Sequence, residues 1–110
     1  RLESIDRSGN RRCNLSLAGY TEAYEKTLLH TVNVERNQLY NLEIHTRSGI
    51  RNLDMSDNRF TTYLFTNFDE LRNLDISNNR LSGTISLTYL EQAENIALHN
   101  NAIDGLTLVP

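Results

Sequence analysis

Aliphatic and polar residues recur along this chain in a fixed order. Ile50-Arg51-Asn52-Leu53-Asp54-Met55-Ser56-Asp57-Asn58-Arg59-Phe60 and Leu71-Arg72-Asn73-Leu74-Asp75-Ile76-Ser77-Asn78-Asn79-Arg80-Leu81 share the pattern L-x-x-L-x-L-x-x-N-x-L, and 71 − 50 gives a 21-residue period. The same pattern runs from Leu29 to Leu39 and from Ala93 to Ile103, with its asparagine at Asn37, Asn58, Asn79 and Asn101. Those asparagines are separated by 21, 21 and 22 residues. Strict alternation inside each unit predicts a short strand with one face buried. A period of this length predicts stacked units, each a strand plus a return segment.

Stacking places like residues on top of one another at the strand spacing of ~4.8 Å. Val32, Leu53, Leu74 and Ile96 are then expected in one buried column, and Val34, Met55, Ile76 and Leu98 in the next. Leu39, Phe60, Leu81 and Ile103 are expected at the corner, with the four asparagines turned inward to bond backbone groups. A second extended piece is expected at Leu42-Glu43-Ile44, Tyr63-Leu64-Phe65, Ile85-Ser86-Leu87 and Leu106-Thr107-Leu108, with the third slipped by one or two residues. The fold expected is an α/β solenoid: a parallel concave sheet, with short helical or irregular segments on the convex side. Thr66–Glu70 and Ser86–Gln92 are expected to carry helical or 3₁₀ turns there.

The first 28 residues fit this pattern poorly, and are expected to form an N-terminal cap and a degenerate first repeat ahead of repeats at 29–110. Arg7 falls where an aliphatic residue is wanted, and Ser8-Gly9-Asn10 reads as a turn. Glu3–Arg7 and Arg11–Leu17 are expected to form a hairpin-like cap, with Leu15-Ser16-Leu17 as the first strand of the array. Thr21–Leu29 reads as a short helix with Thr21 as its N-cap. At the other end, Ile103, Leu106, Leu108 and Val109 finish a unit with no polar unit behind them, so further repeats or a second subunit are expected to cover it.

The alternate strand positions are expected to face outward. They read Thr31, Asn52, Asn73 and Asn95 in one column, then Asn33, Asp54, Asp75 and Ala97, then Glu35, Ser56, Ser77 and His99. Small polar side chains keep an exposed sheet soluble, and the same surface is the candidate partner-binding face. Asp54 and Asp75 on adjacent strands invite comparison with a hydrolytic carboxylate pair, but a flat sheet offers nothing to separate their pKa values. Glu35, Asp54 and Asp75 supply hard oxygen ligands without a calcium-binding loop. His30, His45 and His99 lie in different registers and do not converge as zinc ligands would. No catalytic residue, metal or cofactor is therefore assigned.

Composition narrows the class further. The net charge is −3 over 110 residues, which lacks the basic footprint of a nucleic-acid binder. No apolar run approaches the ~20 residues of a membrane helix, and no signal-peptide pattern opens these residues. Cys13 is the one cysteine and is expected to be a buried small hydrophobe. Arg51 with Arg72 and Arg59 with Arg80 recur at the repeat period, as solvated partners of the acids. The five tyrosines are scattered, and packing against the cap is the expectation for those near it. Asn14-Leu15-Ser16 is a glycosylation sequon, which makes Asn14 a candidate for modification.

Residues 29–108 resemble the leucine-rich-repeat superfamily. The 21-residue period with N-x-L-x-x-L-x-[IF] is similar to the repeats of mosquito leucine-rich-repeat immune proteins, which act with complement-like thioester proteins. Ile5-Asp6-Arg7-Ser8-Gly9-Asn10-Arg11 and Leu106-Thr107-Leu108-Val109-Pro110 are similar in flavour. Bacterial internalin-like and Bacteroides surface proteins share the period. The resemblance implies non-catalytic protein binding, extracellular or at a cell surface, in innate immunity, with a bacterial adhesin or effector as the alternative. The 110 residues contain no counterpart of the cysteine-rich cap and coiled coil of the mosquito proteins, so their complex formation is not carried over.

Overall fold

The computed structural model describes residues 4–9, 11, 13–16, 30–43, 49–61, 70–86, 90 and 92–107. Among the described residues nine strands follow one another: β1 Ser4–Asp6, β2 Asn14–Ser16, β3 Thr31–Asn33, β4 Asn41–Glu43, β5 Asn52–Asp54, β6 Asn73–Asp75, β7 Ser82–Ser86, β8 Asn95–Ala97 and β9 Ala102–Thr107. A five-stranded sheet has the order β1-β3-β5-β6-β8, and β2-β4 and β7-β9 form two smaller sheets. Every pairing is parallel.

Register follows the sequence repeat. Val32, Leu53, Leu74 and Ile96 pair in one row, flanked by Thr31, Asn52, Asn73, Asn95 and by Asn33, Asp54, Asp75, Ala97. The middle residue of β3, β5 and β6 is buried and its two neighbours are half-buried, as a period of two requires. Val34, Met55, Ile76, Leu39, Phe60, Leu81, Ile50 and Leu71 are fully enclosed. Ile96, Leu98 and Ile103 are only partly buried, packed against this core.

The expected α/β solenoid is not what forms. Among the described residues there is no helix, and the strands divide among three sheets. The radius of gyration is 13.1 Å, against the ~13 Å of an ordinary compact domain near this length. The return segments that are described are extended, as β4, β7 and β9, with the ~3.3 Å rise per residue of a strand rather than the ~1.5 Å of a helix. Between β7 and β9 the register shifts at Gly83/Thr84, which sets Ile85 opposite Leu106 and absorbs the slip seen in the sequence.

The N-terminal hairpin is also corrected. Strands β1 and β2 belong to different sheets: β1 pairs in parallel with β3, aligning Ile5 with Val32, and β2 pairs in parallel with β4. Leu15 therefore starts the smaller sheet rather than the main one. Cys13 is exposed rather than buried, since it precedes β2 outside the apolar row. The helix expected at Thr21–Leu29, the segment Tyr63–Phe65, residues 66–69, 87–89 and 91 of the expected convex turns, His45, and Tyr20, Tyr24, Tyr63 and Tyr89 lie outside the described residues, as do residues 108–110.

Each unit turns at a left-handed residue. Gly9, Arg36, Asp57, Asn78 and Asn100 have φ of 67°, 53°, 55°, 55° and 57°. Their backbone amides continue the ladder, Gly9 to Glu35 O, Arg36 to Ser56 O, Asp57 to Ser77 O and Asn78 to His99 O, at 2.9–3.1 Å. Glycine, aspartate and asparagine tolerate this conformation, whereas arginine strains against its own Cβ. Arg36→Asn is therefore expected to stabilise the fold by about 0.5–1 kcal/mol, read as a higher urea midpoint at unchanged slope. Its 3.7 Å ion pair with Glu35, made by a largely exposed guanidinium, offers little to lose. A lower midpoint would mean that the Arg36 side chain has a role beyond the turn.

Candidate functional site

The outward face of the five-stranded sheet is where the expected partner-binding residues meet. On it, side-chain amides bond along the stack. Asn52 Nδ2 donates to Thr31 Oγ1 at 3.1 Å, Asn73 Nδ2 to Asn52 Oδ1 at 2.6 Å, and Asn95 Nδ2 to Asn73 Oδ1 at 2.7 Å. A parallel, in-register sheet makes this ladder: identical side chains sit one strand spacing apart, with amide donor facing amide acceptor. A shorter copy joins Asn100 Nδ2 to Asn78 Oδ1 at 2.7 Å.

Beside the amides runs the column of Asp6, Asn33, Asp54, Asp75 and Ala97. Its carboxylates are fixed from the next turn. Asp54 Oδ1 accepts from Ser56 N at 3.0 Å and Ser56 Oγ at 2.6 Å, and Asp75 Oδ1 accepts from Ser77 at the same two distances. Asp6 does likewise with Ser8, at 2.9 and 2.6 Å. Among the described residues Asn33 Oδ1 accepts the Glu35 amide alone, at 3.0 Å, because a glutamate replaces the serine. The Ser8 hydroxyl, then the Ser8 amide, hold the Asp6 carboxyl below its ordinary pKa, with a smaller pull from Arg36. A lowered folded pKa adds stability above the unfolded pKa and loses it as pH falls through the folded one.

Of the three columns expected to face a partner, the third is divided, because its two serines turn inward. Ser56 and Ser77 are buried, at 5% and 2% exposure. The chain bends after Met55 and Ile76, and their hydroxyls turn back onto the aspartates. Glu35 is half-buried and His99 is exposed, each on a unit lacking the D-x-S motif. Thr31, Asn33, Asn52, Asp54, Asn73 and Asp75 are half-buried, and Asn95 is exposed. A shallow depression lies over β5, β6 and β8, with Asn52, Asp54, Asn73, Asp75, Asn95 and Ala97 in its lining.

The inward asparagines behave as expected. Asn58 Nδ2 lies 3.0, 3.1 and 3.0 Å from the carbonyls of Val34, Met55 and Ser56, and its Oδ1 accepts from Leu39 N at 3.0 Å. Asn79 and Asn101 repeat both roles one unit on. Asn37 Nδ2 reaches back to Arg7 O at 2.9 Å, tying the first unit to the rest. The D-x-S motif and left-handed Gly9 of that first unit were legible in Ile5-Asp6-Arg7-Ser8-Gly9. The 27-residue step from Gly9 to Arg36, against 21 for Arg36 to Asp57, hid them.

Arg51, Arg72, Arg59 and Arg80 are all exposed, and among the described residues none is ion-paired with Asp54 or Asp75. No group of three or more His, Cys, Asp or Glu side chains is placed to hold a metal among the described residues. Among the described residues no helix is long and apolar enough to cross a membrane. Asn14 is exposed on β2, its Nδ2 donating to Tyr40 Oη at 3.0 Å. Comparison with known proteins finds no matching family model, no matching curated protein and no matching solved structure.

Proposed function

We propose that this chain is a non-catalytic recognition module that binds another protein through the outward face of its five-stranded sheet, outside the cell or at its surface. The observation that carries the reading is the fixed polar surface made by the Asn52-Asn73-Asn95 ladder and the serine-held carboxylates of Asp54 and Asp75. Side chains already ordered in the free protein lose less entropy when a partner docks. Each aspartate engages Oδ1 with its serine, and the carboxylate retains further acceptor capacity for a partner's donors. The resemblance of the repeats to leucine-rich-repeat proteins supports extracellular recognition in host defence.

Asp54→Asn with Asp75→Asn is the informative variant. An asparagine keeps the Oδ1 acceptor for the following amide, as Asn33 does for Glu35, and removes only the charge. Proteins retained from extracellular fluid by the immobilised wild-type chain are expected to bind the double variant more weakly and with a shallower salt dependence. Stability should be unchanged within about 0.5 kcal/mol. Tyr40→Ala, on the β2-β4 side, should leave this binding intact. Binding equal to wild type in the double variant, or lost only in Tyr40→Ala, would move the contact off this face.

A further inference from the structure

We propose that Asn14 is an acceptor for an N-linked glycan, and that Tyr40 supports the first sugar. Asn14-Leu15-Ser16 satisfies the acceptor pattern, with no proline between, and the chain's other asparagines lack a serine or threonine two residues on. The fold presents this one outward. Leu15 is buried against the core, so the alternation of β2 turns Asn14 to solvent, where it is exposed. Asn41, its register partner on β4, is exposed on the same side. The inward asparagines, by contrast, spend their amides on backbone carbonyls.

A second observation concerns the surface around Asn14. Tyr40 is the exposed large hydrophobic residue of the described structure, at 59%, and its hydroxyl oxygen lies 3.0 Å from Asn14 Nδ2. The ring is therefore held beside the atom to which a sugar attaches. A sugar at Asn14 would cover part of an apolar face otherwise left in water. Strand β2 also pairs only with β4 among the described residues. An open strand edge invites pairing with other chains, and a bulky hydrophilic substituent blocks that approach.

The transfer balances simply. Asn14 Nδ2 bonds to the anomeric carbon of a lipid-diphosphate-linked oligosaccharide. The bond from that carbon to the diphosphate oxygen breaks, the lipid diphosphate leaves with the electron pair, and one Nδ2 proton passes to a base of the transferase. The other Nδ2 hydrogen remains for Tyr40. This inference rests on the extracellular placement proposed above, and not on which partner the sheet face takes.

The test is expression of the full chain behind a secretion signal in a eukaryotic host, followed by intact mass. The wild type is expected to carry one glycan that peptide-N-glycosidase F removes, leaving the acid in place of the amide at position 14. Asn14→Gln and Ser16→Ala should lack it. Gel mobility of chain retained inside the cells gives the same reading for a variant that folds too poorly to leave. Wild type without glycan, or a glycan persisting in both variants, overturns the assignment. Unglycosylated wild type made in bacteria, which keeps the Asn14 amide, should melt lower than the glycosylated form, and Tyr40→Ala should show no such gap. Equal melting of the two wild-type forms overturns the role of Tyr40.

Discussion

Replacing Asn58 with alanine is expected to cost roughly 3–6 kcal/mol, from one orphaned buried amide and three lost hydrogen bonds. The orphan is Leu39 N–H, whose partner is Asn58 Oδ1. The three carbonyls keep other donors: Val34 O has Asn37 Nδ2, Met55 O has Asn79 Nδ2, and Ser56 O has the Arg36 amide. Their loss is therefore the smaller net kind. Against a typical total of about 5–15 kcal/mol, the change approaches loss of the native state. The same substitution at Asn101, whose amide is half-exposed, should cost less, because water can replace its bonds. Equal losses at the two positions in urea titrations would contradict the burial argument.

Asn58→Asp separates donor from acceptor. A carboxylate keeps the bond from Leu39 N–H but sets negative charge against three carbonyl oxygens. Burial and those carbonyls disfavour the charged form, so the folded pKa of the new acid rises above its unfolded value. Stability is then greatest below the unfolded pKa and falls as pH climbs through the folded one. The variant should melt higher at mildly acidic pH than at neutral pH, and wild type should show no such gain. A variant stable at neutral pH would mean that the carbonyls are not closed around the side chain.

The columns of the main sheet were legible because a 21-residue period fixes register, and in parallel stacking register fixes which residues touch. Val32, Leu53 and Leu74 needed no more than that. The inward asparagines were legible for a second reason: a polar residue at an otherwise apolar corner must find backbone partners. The α/β solenoid was wrongly expected because the pattern constrains which residues face inward and says nothing directly about rise per residue, and the described return segments are strands. Ser56 and Ser77 were assigned outward by extending the alternation of two past the strand's end, where a left-handed residue at Asp57 or Asn78 breaks it. The signal was present as D-x-S, in Asp54-Met55-Ser56 and Asp75-Ile76-Ser77, since a short side chain two residues after an aspartate commonly closes a local turn. What a partner would look like was never in the pattern. Alternation reports which side chains face water, and the likeness of outward asparagines to one another favours the ladder as much as any ligand.

Phe60→Ala should cost about 3–5 kcal/mol, the loss expected for emptying a fully enclosed aromatic site. Phe60 has no exposed surface and is the largest fully buried side chain of the described structure. It occupies the corner column between Leu39 and Leu81, and its amide donates to Asn79 Oδ1 at 3.0 Å. The neighbouring units use leucine at this place, so the backbone geometry does not demand an aromatic ring. Phe60→Leu should therefore cost under about 1.5 kcal/mol, with the column repacking around a side chain that it already accepts above and below. At roughly 4–8 °C per kcal/mol for a domain near this size, the alanine variant should melt well over 10 °C below wild type. The leucine variant should stay within several degrees. Two variants melting together, far below wild type, would show that the ring itself, rather than the filled volume, holds the corner.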